Sequence, residues 1–117
     1  MTKVLIVDDS KFSLLLLKEG LQKRQPEWHI TECQDPTKAM GILAQAPYQL
    51  AIVDFNMPGI NGINLLREMR QKHADLKLIL CTANVQESIK HEARALGVVG
   101  IAYKPLNDEI LDRIASL

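Results

Sequence analysis

Apolar residues in this chain come as short runs separated by amphipathic stretches. Lys3 to Val7 is a compact apolar run that stops at Asp8-Asp9-Ser10, and it reads as a buried strand. From Lys11 to Arg24, Phe12, Leu14 to Leu17 and Leu21 recur at helical spacing among Lys and Glu. That pattern predicts an amphipathic helix with Leu14 to Leu17 in the core. Pro26 ends it. Trp28 to Cys33 reads as a more polar strand at a sheet edge. Asp35-Pro36 is an N-cap followed by proline at the first helical position, opening a helix through Met40 and Leu43 that ends before Pro47.

Gln49 to Asp54 is the most apolar strand, and the chain breaks straight after it at Pro58, Gly59 and Gly62. A short apolar run bounded by turn residues fits a strand buried on both faces. A loop and a helix from about Gly62 to His73 follow, with Ile63, Leu65, Leu66 and Met69 on one face. Leu76 to Cys81 is a fourth strand, ending in Thr82-Ala83-Asn84. Gln86 to Leu96 reads as a more polar helix closed by Gly97 at the position where a left-handed residue is favoured. Val98 to Tyr103 is a fifth strand, ending in Lys104-Pro105, and Asn107 caps a last helix through Ile110, Leu111 and Ile114. Alternating strands and helices with short connections predict an α/β, doubly wound parallel sheet covered on both faces. No linker or repeat interrupts the pattern, so residues 1–117 read as one domain.

Composition adds mainly exclusions. Fourteen basic side chains balance 14 acidic ones, so no general field draws the chain to nucleic acid or an anionic membrane. No run approaches the roughly 18 apolar residues of a membrane span. The N-terminal Met1 to Val7 meets Asp8 and Asp9 without a small-residue cleavage site and does not read as a signal peptide. Cys33 and Cys81 lie in strand-like stretches without metal-ligand spacing, which predicts buried free thiols and a cytoplasmic setting. His29, His73 and His91 fall in different elements and read as surface or edge residues.

The strand ends carry the chemistry. In an open parallel sheet every strand delivers its last residues to one edge, where ligands bind. Here that edge collects Asp8 and Asp9, Asp54, Thr82 and Lys104. Taken alone, Asp8-Asp9-Ser10 is only a strand-to-helix turn with Ser10 as cap; arriving with the other three, it becomes a candidate site. Two carboxylates about 4 Å apart repel by about 4 kcal/mol at an effective dielectric near 20, so such a cluster needs a cation or raised pKa values. Mg²⁺ suits it, because this ion takes oxygen ligands and typically one or two carboxylates plus a phosphate. A phosphoryl group on Asp54 would find countercharge and hydrogen bonds in the metal, Lys104 and Thr82.

These fragments together, Asp8-Asp9, Asp54 through Gly62, Cys81-Thr82-Ala83 and Tyr103-Lys104-Pro105, resemble the receiver domain of bacterial two-component response regulators of the single-domain chemotaxis type. The resemblance spans essentially the whole chain. It implies a flavodoxin-like (βα)5 fold with strand order 2-1-3-4-5. It implies that Asp54 accepts a phosphoryl group from a histidine kinase or histidine phosphotransfer protein. Asp9, Asp54 and the backbone carbonyl of Asn56 would hold Mg²⁺, with Asp8 acting through water. Lys104 would pair with the phosphoryl oxygens or with Asp54, a cis peptide would join Lys104 to Pro105, and Thr82 would be the switch hydroxyl. A downstream protein would meet the face of helix 4, strand 5 and helix 5, around Thr82, Ala83, Ile101 and Tyr103, with the chain a monomer or a phosphorylation-dependent dimer. One family feature is missing. The aromatic residue usual three positions before the lysine is Ile101 here; Tyr103, two residues on and on the same strand face, either partly replaces it or simply packs, and packing is the favoured expectation because Tyr103 lies further toward the strand end.

Two other functions compete. An aspartyl-phosphate phosphatase or phosphotransferase would need a general acid beside the nucleophile, and Asp54-Phe55-Asn56 offers none two residues on. A phosphorylation-independent interaction module would have no use for the acidic pair, Thr82 and Lys104. DNA binding finds no basic recognition helix.

Overall fold

The computed structural model describes residues 2–83 and 86–117. Five parallel strands, β1 (Lys3–Val7), β2 (His29–Cys33), β3 (Leu50–Asp54), β4 (Lys77–Thr82) and β5 (Gly100–Tyr103), form one sheet in the order β2-β1-β3-β4-β5. The helices are α1 (Lys11–Arg24), α2 (Ala39–Leu43), α3 (Gly62–Lys72), α4 (Glu87–Ala95) and α5 (Asp108–Ala115). This is the flavodoxin-like architecture and order expected from the resemblance. Among the described residues no helix is long and apolar enough to cross a membrane.

Alternation along the strands builds two cores. Leu5, Val7, Ala51, Val53, Leu78 and Leu80 face Ile63, Leu66 and Met69 of α3. Val4, Ile6, Ile52, Ile79 and Cys81 face Leu14, Leu17 and Leu21 of α1 and Ile114 of α5. β3, in the centre, is buried at every position, as its near-continuous apolar run requires.

Three expectations change. On α1 only Leu14, Leu17 and Leu21 reach the core, while Leu15 and Leu16 are 47% and 52% exposed and Phe12 is 69% exposed. A helix turns about 100° per residue, so four consecutive leucines cannot all lie in one stripe. The Asp35 carboxylate accepts from the Thr37 N–H and hydroxyl and tightens the chain into a 3-10 turn, Pro36–Lys38, before the short α2. The stretch after Asp54 is not only a loop: Asn56–Met57 pairs antiparallel with Ile60–Asn61 around Pro58-Gly59, with Gly59 at φ +74°. Proline followed by a left-handed glycine is the type II turn pattern.

Strand and helix bounds otherwise match to within two residues, and Cys33 and Cys81 are both buried free thiols. Thr82 is the exception that matters, since it is the last residue of β4 rather than the start of the following loop.

Arg70 ties α3 to its neighbours. Its guanidinium donates to the carbonyls of Ala74 and Leu76 at 2.8 Å, of Leu96 at 2.9 Å and of Gly97 at 3.3 Å, joining the start of β4 to the end of α4. Hydrogen bonds to charged groups contribute about 1.5–3 kcal/mol each and do not add simply. Arg70→Met is expected to lower unfolding free energy in urea by about 2–3 kcal/mol. Arg70→Lys should recover little of it, because an ammonium lacks the planar fork.

Candidate functional site

Asp8, Asp54 and Lys104 meet at the carboxyl edge of β1, β3 and β5. β1 lies between β2 and β3 in the sheet, so Asp8 and Asp9 emerge beside Asp54, where the chain direction of the winding reverses. One oxygen from each of Asp8, Asp9 and Asp54 falls within 4.8 Å of the others. Asp8 and Asp54 are buried and Asp9 is exposed. Lys104 reaches in from β5, with its ammonium 2.7 Å from Asp8 Oδ2 and 3.1 Å from Asp54 Oδ1. The lysine was expected at Asp54; it bonds Asp8 more closely.

The turn reading and the site reading of Asp8-Asp9-Ser10 are both realised. Asp8 Oδ1 accepts from the Ser10 N–H at 2.9 Å, and Ser10 Oγ caps α1 by accepting from the Ser13 N–H. Both Asp8 oxygens are therefore engaged, one by Ser10 and one by Lys104. One oxygen from each of the three carboxylates could still be offered to a common cation at this edge. That donor set suits a hard divalent ion.

Burial raises the Asp54 pKa above the usual carboxylate range, the Lys104 hydrogen bond opposes it, and the charges of Asp8 and Asp9 push it up further. For Lys104, burial pulls the ammonium pKa down, but the bonds to Asp8 and then Asp54 outweigh it and leave the pKa raised. The lysine therefore stays charged. Cys81, buried beside them, has its thiol pushed up to about 12 by burial, which keeps it neutral.

The backbone at Asp54 leaves no room for change. The Phe55 N–H donates to the Cys81 carbonyl and the Gly62 N–H to the Phe55 carbonyl. A Cβ on Gly62 would stand 2.3 Å from the Asp54 carbonyl oxygen. Gly62 thus lets the start of α3 close directly on the strand end, and Asn61 caps that helix through the Ile63 N–H. In the sequence Gly62 signals only a chain break; what it approaches is set by the fold.

Thr82 is 2% exposed, on β4 beside β3, with Cys81 in register with Asp54. The Lys104 N–H donates to the Thr82 carbonyl at 2.9 Å, so the two are tied through the main chain. Lys104-Pro105 is a cis peptide, as the resemblance implies. Asn56 opens the hairpin after Asp54 and is exposed. Ala83 is exposed beside the site, whereas Asn84 lies outside the described residues. Ile101 packs partly buried against the α3 core, and Tyr103 is half-buried in register with Thr82. His29 and His91 are exposed and His73 half-buried, far apart in the chain as expected. An opening of about 500 Å³ leads from Asp8, Asp54 and Lys104 along α1, walled by Phe12, Leu16 and Leu106.

Residues 4–115 match the family model of the response regulator receiver domain. The chain is 33% identical over 116 residues to stress response regulator protein 1 of Scheffersomyces stipitis, covering 94% of this chain but 40% of that protein. It is 36% identical over 109 residues to a probable chemotaxis protein CheY of Rhizobium etli, covering 92% of this chain and 84% of that one. A crystal structure of the response regulator TrrA from Thermotoga maritima, in complex with Mg²⁺-BeF, superposes with a TM-score of 0.84 at 31% identity, over 99% of this chain and 98% of that one.

The raised Asp54 pKa has a sign that can be measured. A carboxyl that is harder to ionise in the folded state costs stability once pH exceeds its unfolded value near 3.9 and costs nothing below it. In buffer with a chelator, Asp54→Asn is expected to be more stable than the parent at pH 7. The difference should close as pH is lowered toward 3, followed by urea unfolding at each pH.

Proposed function

The chain belongs to the response regulator receiver family, a family of phosphorylation-based two-component signalling, and we propose on that basis that Asp54 is its phosphoacceptor. The single observation that carries this reading is the Asp8-Asp9-Asp54 cluster held by Lys104 at one sheet edge. The donor is a phosphohistidine on a histidine kinase or histidine phosphotransfer protein. An Asp54 carboxylate oxygen attacks phosphorus, and the P–N bond to the donor imidazole breaks. The imidazole, protonated on its other nitrogen, leaves neutral with the electron pair.

Asp9, Asp54 and the carbonyl of Asn56 would hold Mg²⁺, with Asp8, whose oxygens are engaged by Ser10 and Lys104, assisting through water. When bound, the ion neutralises charge on the carboxylates and on the phosphoryl oxygens. Lys104 orients Asp54 in the resting state and turns to the phosphoryl oxygens afterwards, while the Thr82 hydroxyl bonds a third oxygen. Such charge-assisted bonds are the strong ones. Phe12 and Leu16, exposed along the opening to Asp54, support approach by a protein donor rather than a small molecule alone. The downstream protein meets α4, β5 and α5, and the chain turns over no substrate other than its own phosphoryl group.

Incubation with Mg²⁺ and a small acyl phosphate should add one phosphoryl mass to the parent and none to Asp54→Asn; equal labelling of both would sink the assignment. Mg²⁺ alone should also stabilise the fold. At a concentration about 100 times its Kd, a ligand specific for the native state adds about 2.7 kcal/mol. Asp9→Asn should lose most of that gain in thermal unfolding.

A further inference from the structure

The three carboxylates at the sheet edge are not held alike. Asp8 is buried and fixed through both oxygens, by the Ser10 N–H and by Lys104. Asp54 is buried and fixed by Lys104. Asp9 is exposed, so the direction of its carboxylate depends on the main chain that carries it.

That main chain is gripped at the peptide joining Asp9 to Ser10. The N–H of this peptide, on Ser10, donates to Asp8 Oδ1 at 2.9 Å. Its carbonyl, on Asp9, accepts from Gln34 Nε2 at 3.3 Å. A peptide group is planar, so a hold on both ends fixes its plane and with it the angle at which Asp9 leaves the backbone. Without Gln34 the plane could pivot about the bond from Ser10 to Asp8. The two bonds also reinforce each other, because a carbonyl that accepts polarises the N–H at the other end of the same group.

Gln34 is itself anchored on both sides. It follows Cys33, the buried last residue of β2, whose carbonyl accepts from the Asp8 N–H at 3.1 Å. On the other side, Cys33 Sγ donates to the Asp35 carbonyl at 3.0 Å, and the Asp35 carboxylate is taken up by Thr37. Gln34 is exposed, yet its amide turns back onto a residue 25 positions away. Its chemistry suits the place. An ammonium there would compete with a cation for the three carboxylates, whereas a carboxamide donates without adding charge.

We propose that Gln34 is a positioning residue for the cation: by holding the Asp9 carbonyl, it fixes the direction in which Asp9 offers its carboxylate beside Asp8 and Asp54. The proposal rests on the reading of Asp9 as a ligand of Mg²⁺. Partners that orient metal ligands commonly change affinity by about 10–100-fold, and a bond to the main chain at an exposed position should act at or below the low end of that range.

The test is a Mg²⁺ titration of the full chain, read from amide NMR signals around Asp54. It compares the parent, Gln34→Met, Asp9→Asn and the double variant. Methionine matches glutamine in length and charge and removes only the polar head. Gln34→Met should weaken Mg²⁺ binding about three- to tenfold. In the metal-free protein it should also move the Ser10 amide signal upfield, as the bond to Asp8 loosens. In the Asp9→Asn background, with Mg²⁺ raised until that protein saturates, Gln34→Met should cost less than about twofold, because the two residues act as one unit. Parent affinity or an unmoved Ser10 signal in Gln34→Met would overturn the proposal, as would an equal loss with and without Asp9; each leaves the phosphoacceptor reading intact. A parent that binds no Mg²⁺ would overturn the metal reading and the proposal together.

Discussion

Three carboxylates at one sheet edge are the constraint on which the rest of the molecule depends. Two of them, Asp8 and Asp54, are buried, and their mutual repulsion has to be met within the fold. Lys104 meets it from the opposite side of the switch point, bonding Asp8 at 2.7 Å and Asp54 at 3.1 Å. Burial first, and then the charges of Asp8 and Asp9, still keep the Asp54 pKa raised against the pull of Lys104. A site left with unspent negative charge is one that a divalent cation and then a phosphoryl group can enter. Stability and function draw on the same electrostatics here.

Around that cluster the fold supplies rigidity where position matters. The sheet fixes Asp54 through β3, buried along its whole length, and Gly62 lets α3 close on the Asp54 carbonyl. Ser10 both caps α1 and, through its N–H, orients Asp8. On the far side, among the described residues, α4 buries only Ala93 and is held by Ile89 against the core, by the Arg67–Glu92 pair and by Arg70 at its end. A rigid acceptor beside a lightly held helix is the arrangement a two-state switch needs, since interfaces that repack cheaply are the ones a local charge change can shift.

Much of this was legible in the chain itself. The period of the apolar positions separates the five sheet strands from the five helices, though it misses the 3-10 turn before α2 and the hairpin after Asp54, and the run Leu50 to Val53 identifies the central strand because burial on both faces leaves it no polar position. Asp8, Asp9, Asp54, Thr82 and Lys104 are recognisable because strand ends in a parallel sheet share one edge, a consequence of topology that no single fragment carries. The leucines of α1 misled. Composition marks Leu14 to Leu17 as core, but the helical turn sends Leu15 and Leu16 to the surface.

What the sequence by itself determined is therefore the fold class, the edge and the residue types assembled there, since these follow from periodicity and from chemistry that repeats locally. Tertiary structure alone decided which charges pair. Lys104 and Asp8 are 96 positions apart, and no local pattern says that the lysine favours Asp8 over Asp54. The same holds for the approach of Gly62 to Asp54 and for the reach of Lys90 to Tyr103. Those contacts depend on side-chain lengths and on the twist and register of neighbouring strands, quantities that exist only once the chain has closed.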